Sequence, residues 1–429
     1  MSTMDAVLGW PALDRDLVRQ RLEPHLRPGF LMRSLIVRDV RFRPKGRTWL
    51  LYRLDMALPA GQSAYVSGLL LHPGESPPEP PASLVERYHL WPDRVLREPW
   101  FVDPVLSLAL YAYPVDAAMP SLFDAIDVNL MRRALAPFSG NASIKSVRCR
   151  NRSYSPHARA TFAYDVRTKN GAGVTHHWIG KTQAGKPAAE RSASHEALWS
   201  LAGGHLPIPR PLGHLDSLDV ALQEYVPGER LGALVDRPGF DDLLRRTAVA
   251  LATLHGFRLP KARERRPSDE VKTVKRWSEI LQAIRPDLSG RIETLELALT
   301  RAILEEAQVS ALIHADFHHT NVLVEGDRLT FIDLDELAMG DPMLDVGRFI
   351  ASLRIPALRA FGEASALDGA ADAFLEAYAR RGQGNLARVH LFESASLLIA
   401  AGSSFRLQRE RWPEEVEILL EASERRLKD

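Results

Sequence analysis

The chain has 429 residues, 45% hydrophobic and 25% charged, an ordinary globular composition with length for two or three domains. A formal net charge of +1 gives no global field favouring nucleic acid or an anionic membrane as partner, and Cys149, the sole cysteine, excludes an internal disulfide framework and a cysteine-rich zinc site. No apolar run approaches the roughly 18 to 20 residues of a membrane span, and the early Asp5, Asp14 and Asp16 do not fit a secretory signal, so a cytoplasmic protein is expected.

Residues 1–115 open on a helical stretch and then alternate like strands at 35–42, 48–56 and 63–72, which predicts a small β-rich accessory domain. Ser76-Pro77-Pro78-Glu79-Pro80-Pro81 is a loop, because proline is excluded from helix interiors and central strands. This segment holds an echo of a later one. Val40-Arg41-Phe42-Arg43, then Arg47 and Tyr52, run parallel to Val147-Arg148-Cys149-Arg150, then Arg159 and Tyr164; the arginine-to-tyrosine spacing is equal, the interval before it is not. Either a strand pair is duplicated, or two twisted antiparallel pairs merely look alike.

Residues 116–139 read as a helical connector, with the helix at about 120–136. Strand patterns follow at 144–149, 160–166 and 175–181, then a helix at about 187–201, the rigid Leu206-Pro207-Ile208-Pro209-Arg210-Pro211, and a strand at 220–226 ending in Pro227-Gly228. From Leu231 the chain is mostly helical, with helices expected at 241–255, 271–284, 292–307, 343–353, 370–381, 387–401 and 414–427.

The chemistry concentrates between Ile313 and Asp345, in IHADFHHTNVLVEGDRLTFIDLDELAMGDPMLD. His314, Asp316 and Asn321 form an H-x-D-x-x-x-x-N array. The apolar runs at 322–324 and 329–332, separated by Glu325-Gly326-Asp327, predict a tight β-hairpin. Asn321 enters that hairpin and Asp333 leaves it, so an amide oxygen and a carboxylate come to one end, a donor set that suits Mg²⁺. Asp316, on the loop before it, is placed to orient a substrate hydroxyl toward a phosphate and accept its proton. A zinc hydrolase built on His314, Asp316, His318 and His319 is the rival, disfavoured because no second histidine cluster supplies the remaining ligands.

These residues resemble the catalytic and metal-binding loops of the aminoglycoside phosphotransferase and choline kinase-like family. The resemblance implies an α+β, two-lobed protein-kinase-like fold with a β-rich N-lobe and hinge at 140–230 and a helical C-lobe at 231–429, behind an N-terminal domain placed like the cap of maltokinases. It implies Asp316 as catalytic base, His314 bracing its loop, Asn321 and Asp333 binding Mg²⁺, and Asp345 as structural. Ala315 stands where a glycine is usual, and His319-Thr320 where Pro-Gly is usual, which bears on loop conformation. In the N-lobe, Lys181 would hold nucleotide phosphates with a helix glutamate as partner. Glu190 and Glu196 are both on that helix about 240° apart, so only one faces the lysine, and the context of Glu196 matches the family better. The first N-lobe turn, residues 151–157, has no glycine, so phosphate contacts would come from Ser153, Ser155 or backbone amides. Glu224 and Val226 would offer hinge backbone to adenine.

The expected activity is ATP- and Mg²⁺-dependent phosphorylation of a small-molecule hydroxyl, with a silent nucleotide-binding module as the alternative. A protein kinase is disfavoured because no activation-loop and A-P-E pattern follows Asp333. Glu363, Asp368, Asp372 and Glu376 could draw a cationic acceptor but read more simply as a solvated helix face; the acceptor could be a sugar, an amino alcohol or aminoglycoside-like, and with no marked acidic run in the C-terminal helices a neutral or weakly charged one is expected rather than a polycation.

Overall fold

The computed structural model describes residues 10–140, 142–169, 174–305 and 309–428. Its first unit is helix α1 (Arg15–Leu22), strands β1 (Leu31–Arg41), β2 (Trp49–Leu58) and β3 (Ser63–Leu70), helix α2 (Ala82–Leu90), and strands β4 (Trp100–Asp103) and β5 (Leu108–Ala112). The strands form one sheet in the order β1-β2-β3-β5-β4. The first three strands match the alternation in the sequence, with ends shifted by a few residues. The last two escape it, because β4 has only four residues and β5 is buried throughout and so does not alternate.

The connector is two short helices rather than one, α3 (Leu122–Ile126) and α4 (Val128–Ala134). Asp127 breaks them: its carboxylate accepts from the backbone N–H groups of Asn129 and Leu130, starting the second helix. The N-lobe follows as β6 (Ile144–Ser155), β7 (Arg159–Thr168), β8 (Thr175–Gln183), α5 (Ala188–Ala202), β9 (Pro211–Leu215) and β10 (Val220–Glu224). Its sheet runs β6-β7-β8-β10-β9.

The two sheets share strand order, helix position and register. Tyr52 lies opposite Val37 and Val66, and Tyr164 opposite Cys149 and Trp178. Gly68 faces Leu110, and Gly180 faces Leu222. Each glycine makes room for its tyrosine ring. The Tyr52 hydroxyl donates to Ala12 O and the Tyr164 hydroxyl to Ala125 O, both at 2.8 Å. Asp14 caps α1 as Asp127 caps α4. The N-terminal sheet is therefore a second copy of the N-lobe, including its leading helix. Arg47–Tyr52 and Arg159–Tyr164 correspond as the sequence suggests, whereas the pairing of residues 40–43 with 147–150 is out of register, since Val37 is the counterpart of Cys149. Leu69, opposite Ala109, occupies the place of Lys181, opposite Ala221.

The C-lobe holds β11 (Glu229–Arg230), α6 (Phe240–His255), β12 (Arg263–Glu264), α7 (Pro267–Ile284), α8 (Ser289–Glu305), β13 (Ala311–Ile313), β14 (Val322–Glu325), β15 (Arg328–Phe331), β16 (Ala338–Gly340), α9 (Met343–Ser352), α10 (Arg354–Phe361), α11 (Asp368–Ala379), α12 (Val389–Arg406) and α13 (Trp412–Arg426). The expected helices are present. The end at Ala307 lies outside the described residues, and α10 is an addition, admitted because Pro356 falls in its first turn, where no N–H is needed.

Two cores carry the C-lobe. One packs the β14–β15 hairpin against α6, α9 and α11. The other is shared with the N-terminal sheet: Val37, Tyr52, Leu54 and Leu110 meet Val274 and Leu281 of α7, Leu295 and Leu299 of α8, Leu398 and Phe405 of α12, and Leu419 of α13. Among the described residues no helix is long and apolar enough to cross a membrane.

Candidate active site

β13 delivers the chain to His314, whose position is fixed from two sides. The backbone N–H groups of His314 and Ala315 donate to the fully buried Asp345 carboxylate at 2.6 and 2.9 Å, and the His314 ring, through Nε2, contacts Ile332 O at 2.9 Å. Asp345 also meets His255 Nε2 at 3.2 Å. Ala315 has φ +64°, the left-handed conformation in which a glycine would be unstrained and an alanine costs roughly 1–2 kcal/mol. The Asp345 anchor tolerates that strain, and so the loop keeps its path without the usual glycine.

The hairpin forms as expected, β14 against β15 with Val322 opposite Phe331. Ile332 N–H donates to Asn321 O at 2.9 Å, so Asp333 leaves the hairpin beside the residue where Asn321 enters. The Asn321 side chain donates through Nδ2 to Asp316 O at 3.0 Å, which leaves its amide oxygen as the metal-compatible atom. His319 is braced differently: its ring packs on Gly232, where a Cβ would sit 2.0 Å from the ring. Burial pushes its pKa down to about 3, so it is neutral near pH 7.

Asp316 faces His318 Nε2 at 3.6 Å and Arg348 Nη1 at 3.5 Å, and Arg348 also bonds Ala315 O. Burial opposes ionisation, yet His318, Arg348 and His314 outweigh it and hold the carboxyl well below the usual carboxylate range. Such a group is a weak base toward a free alcohol. Its chemistry would suit a loose transition state, in which a carboxylate orients a hydroxyl and takes the proton late.

Lys181, on β8, reaches across the lobes. Its Nζ lies 2.8 Å from Asp333 and 3.0 Å from Asp335. Although burial disfavours its charge, these two carboxylates raise its pKa, and Lys181 in turn holds Asp333 far below the carboxylate range. Glu196 is not its partner: it accepts from Ser192 Oγ at 2.5 Å, one turn back on α5. The lysine has found carboxylates from the C-lobe instead. Asp335 was missed; the signal was the second acid in Asp333-Leu334-Asp335, brought round by the 3₁₀ turn Leu334–Glu336. Arg159, at the start of β7, adds a second cation 3.7 Å from Asp333.

The phosphate-covering segment differs from expectation. β6 continues to Ser155, so the turn is only Pro156-His157-Ala158, with φ +55° at His157. Ser153 lies opposite Thr161, which lies opposite Lys181, so all three share a face of the sheet. The Ser155 hydroxyl instead is engaged by Arg41 and Asp39 of the N-terminal sheet. In the hinge, Glu224 N–H donates to Arg210 O at 2.9 Å, so Glu224 cannot offer its N–H to a base. Val226 follows in the extended exit from β10. Gly228 has φ +133° and no room for a Cβ, which would lie 2.8 Å from Val324 O; there the hinge touches the catalytic hairpin.

The oxygen donors at the hairpin end fit Mg²⁺, which takes one or two carboxylates and completes its shell with phosphates and water. Asn321 and Asp333 would hold it. The histidines do not assemble a zinc set: His314 Nε2 is directed at Ile332 O, and His318 Nδ1 at Thr320 Oγ1.

The chain resembles several solved structures: spectinomycin phosphotransferase APH(9)-Ia, in complex with ADP and spectinomycin (14% identity, 70% of this chain and 98% of that one, TM-score 0.48); a choline/ethanolamine kinase family protein from Mesorhizobium loti (16%, 70% and 95%, 0.45); and choline kinase from Cryptosporidium parvum (12%, 66% and 89%, 0.47). No curated protein matches it. The model of the phosphotransferase enzyme family (APH) matches residues 156–392, more than half of the chain and all of the site from Lys181 to Asp345. The protein belongs to that phosphotransferase family.

Proposed function

We propose that the chain transfers the terminal phosphoryl group of Mg²⁺-ATP to a hydroxyl of a small molecule. The observation that carries this reading is the convergence, on one hairpin end, of the ionised Asp316, the Asn321 amide and Asp333, with Lys181 brought to the last from the other lobe. Lys181 and Arg159 supply positive charge for phosphate oxygens. Asn321 and Asp333 supply oxygen ligands, and the metal when bound neutralises charge developing on the transferred group. Asp316, held by Arg348 and His318, orients the acceptor hydroxyl and receives its proton. His314 ties the Asp316 loop to the Asp333 arm, and Ser153 faces the phosphate side of the sheet.

The acceptor is neutral or weakly charged in this reading. Of the acids on the C-terminal helices, Asp368 is neutralised by Arg354 and Arg426, while Glu363, Asp372 and Glu376 stand at exposed positions and form no marked acidic run.

The test offers the protein Mg²⁺-ATP with sugars, amino alcohols and aminoglycosides, and follows the mass gain of one phosphoryl group. Asp316→Ala should abolish transfer and keep ADP affinity. Full turnover in that variant sinks the assignment, turnover of aminoglycosides alone overturns the acceptor class, and nucleotide binding without product for any acceptor favours a silent module.

A further inference from the structure

The N-terminal sheet repeats the N-lobe but carries Leu69 where the N-lobe carries Lys181, and Leu69 is fully buried with Ala109 and Tyr111. This copy has no cation at that place to meet a phosphate. Three of its residues, with Asp116 just past it, instead grip the β6–β7 turn of the N-lobe.

Asp39, 5% exposed, receives Ser155 Oγ at 3.3 Å. Arg41 bonds Ser155 and reaches Pro156 O at 3.3 Å. Trp49 lies against the His157 ring, centroids 3.9 Å apart. Asp116, just past the copy, accepts from the His157 N–H and the Tyr154 hydroxyl, both at 2.9 Å, and lies 3.3 Å from His157 Nδ1. Asp39 is also bonded by Arg406 of α12 at 2.7 Å, so one carboxylate joins the copy, the turn and the C-lobe. Burial opposes its ionisation, but Arg406 and Arg41 keep it charged.

Glycine-rich phosphate loops are open enough for backbone amides to approach the ligand. This turn has no glycine, and its geometry is imposed from outside. We infer that the N-terminal copy has exchanged ligand binding for holding the β6–β7 turn at a fixed height over the nucleotide phosphates, with Asp39 and His157 as positioning residues. The inference rests on the phosphotransfer reading above.

It separates two parts of nucleotide affinity. The base and ribose are held from the hinge, out of reach of Asp39, whereas the phosphates lie under the turn. Full-length protein, Asp39→Asn and His157→Ala are titrated calorimetrically with adenosine and with Mg²⁺-ATP, and KM is measured for ATP and for the acceptor. Adenosine should bind all three within about twofold. ATP affinity should fall about tenfold in each variant, the worth of one charge-assisted contact, with KM for ATP rising to match and KM for the acceptor unchanged.

Equal losses for adenosine and ATP would mean general loosening and overturn the inference, as would unchanged ATP affinity. Should Asp39→Asn fail to fold, with Arg406 and Arg41 left unneutralised, His157→Ala decides alone, since its side chain is 27% exposed and outside the core. If the unaltered protein binds ATP no better than adenosine and turns nothing over, the phosphotransfer reading falls and this inference with it; ATP preference in the parent with none of these variant effects removes this inference only.

Discussion

Replacing Asp345 by asparagine tests how the catalytic loop is held. The carboxylate is fully buried and accepts three contacts: Ala315 N–H on Oδ1, and His314 N–H and His255 Nε2 on Oδ2. Asparagine keeps the shape but has one acceptor oxygen. If that oxygen keeps His314 and His255, the new NH₂ faces the Ala315 N–H, donor against donor. Losing one charge-assisted bond costs about 1.5–3 kcal/mol, and a buried unsatisfied donor about 1–3 kcal/mol more. The expected loss is on the order of 3–5 kcal/mol, read as a lower urea midpoint at unchanged m-value.

The same change should separate binding from chemistry. Asp345 touches neither Lys181 nor the hinge, so ADP affinity should hold within about twofold, while displacement of Asp316 by about 1 Å lowers kcat on the order of 100-fold. There is also an acid signature. Burial works against the charge of Asp345, but its hydrogen bonds hold the folded pKa below the ordinary carboxylate value. The stability it contributes is present above about pH 4 and is lost as pH falls through the folded value. The variant lacks that component. Unchanged stability and kcat in Asp345→Asn would refute the view that this carboxylate positions the loop.

Two further outcomes follow from packing and burial. Gly180→Ala places a Cβ 2.5 Å from Tyr164 Cε2 and 2.9 Å from Val220, whereas Gly68→Ala meets Tyr52 at 3.2 Å and Leu108 at 3.3 Å; both tyrosines are tied through their hydroxyls, so the depth of the overlap decides, and the first should cost about 2–3 kcal/mol and the second under about 1 kcal/mol, a ranking that thermal melts check. Burial depresses the His195 pKa to about 4, against a bond to Pro209 O, so the unfolded chain binds the proton first. Stability should be full above about pH 6.5 and decline toward about pH 4, by on the order of 3 kcal/mol, and His195→Gln should flatten that slope in urea titrations.

What the sequence discloses and what it hides divide along physical lines. The array from His314 to Asp333 is legible because its polar groups sit within one loop and one hairpin, where spacing determines geometry. The partner of Lys181 is not: helix periodicity restricts the choice to Glu190 or Glu196, but Asp333 and Asp335, from the far lobe, lie closer in space. Ser155 points the same way, its hydroxyl engaged by Asp39 and Arg41, more than a hundred positions earlier. The duplication shows in the sequence only at Arg47–Tyr52 and Arg159–Tyr164, because a tyrosine seated over a glycine restricts residue type, while the surrounding strand positions accept any apolar side chain of suitable size.

The apolar core that the N-terminal sheet shares with the last helices makes the order of synthesis matter. That sheet is complete once residue 112 has been made, and its own α1 and α2 join its core through Val18, Leu22, Leu84 and Tyr88, but the rest of that core comes from α7, α8, α12 and α13, the last two of which end at Arg406 and Arg426. The Arg406–Asp39 bond closes over 367 positions. At roughly 5–20 residues per second on the ribosome, the face of Val37, Leu54 and Leu110 waits on the order of 15–60 s for its partners. Through that interval the nascent chain presents an incompletely covered apolar core, which makes it a client for holding chaperones and makes C-terminal truncation more damaging to yield than the distance of those helices from Asp316 would suggest.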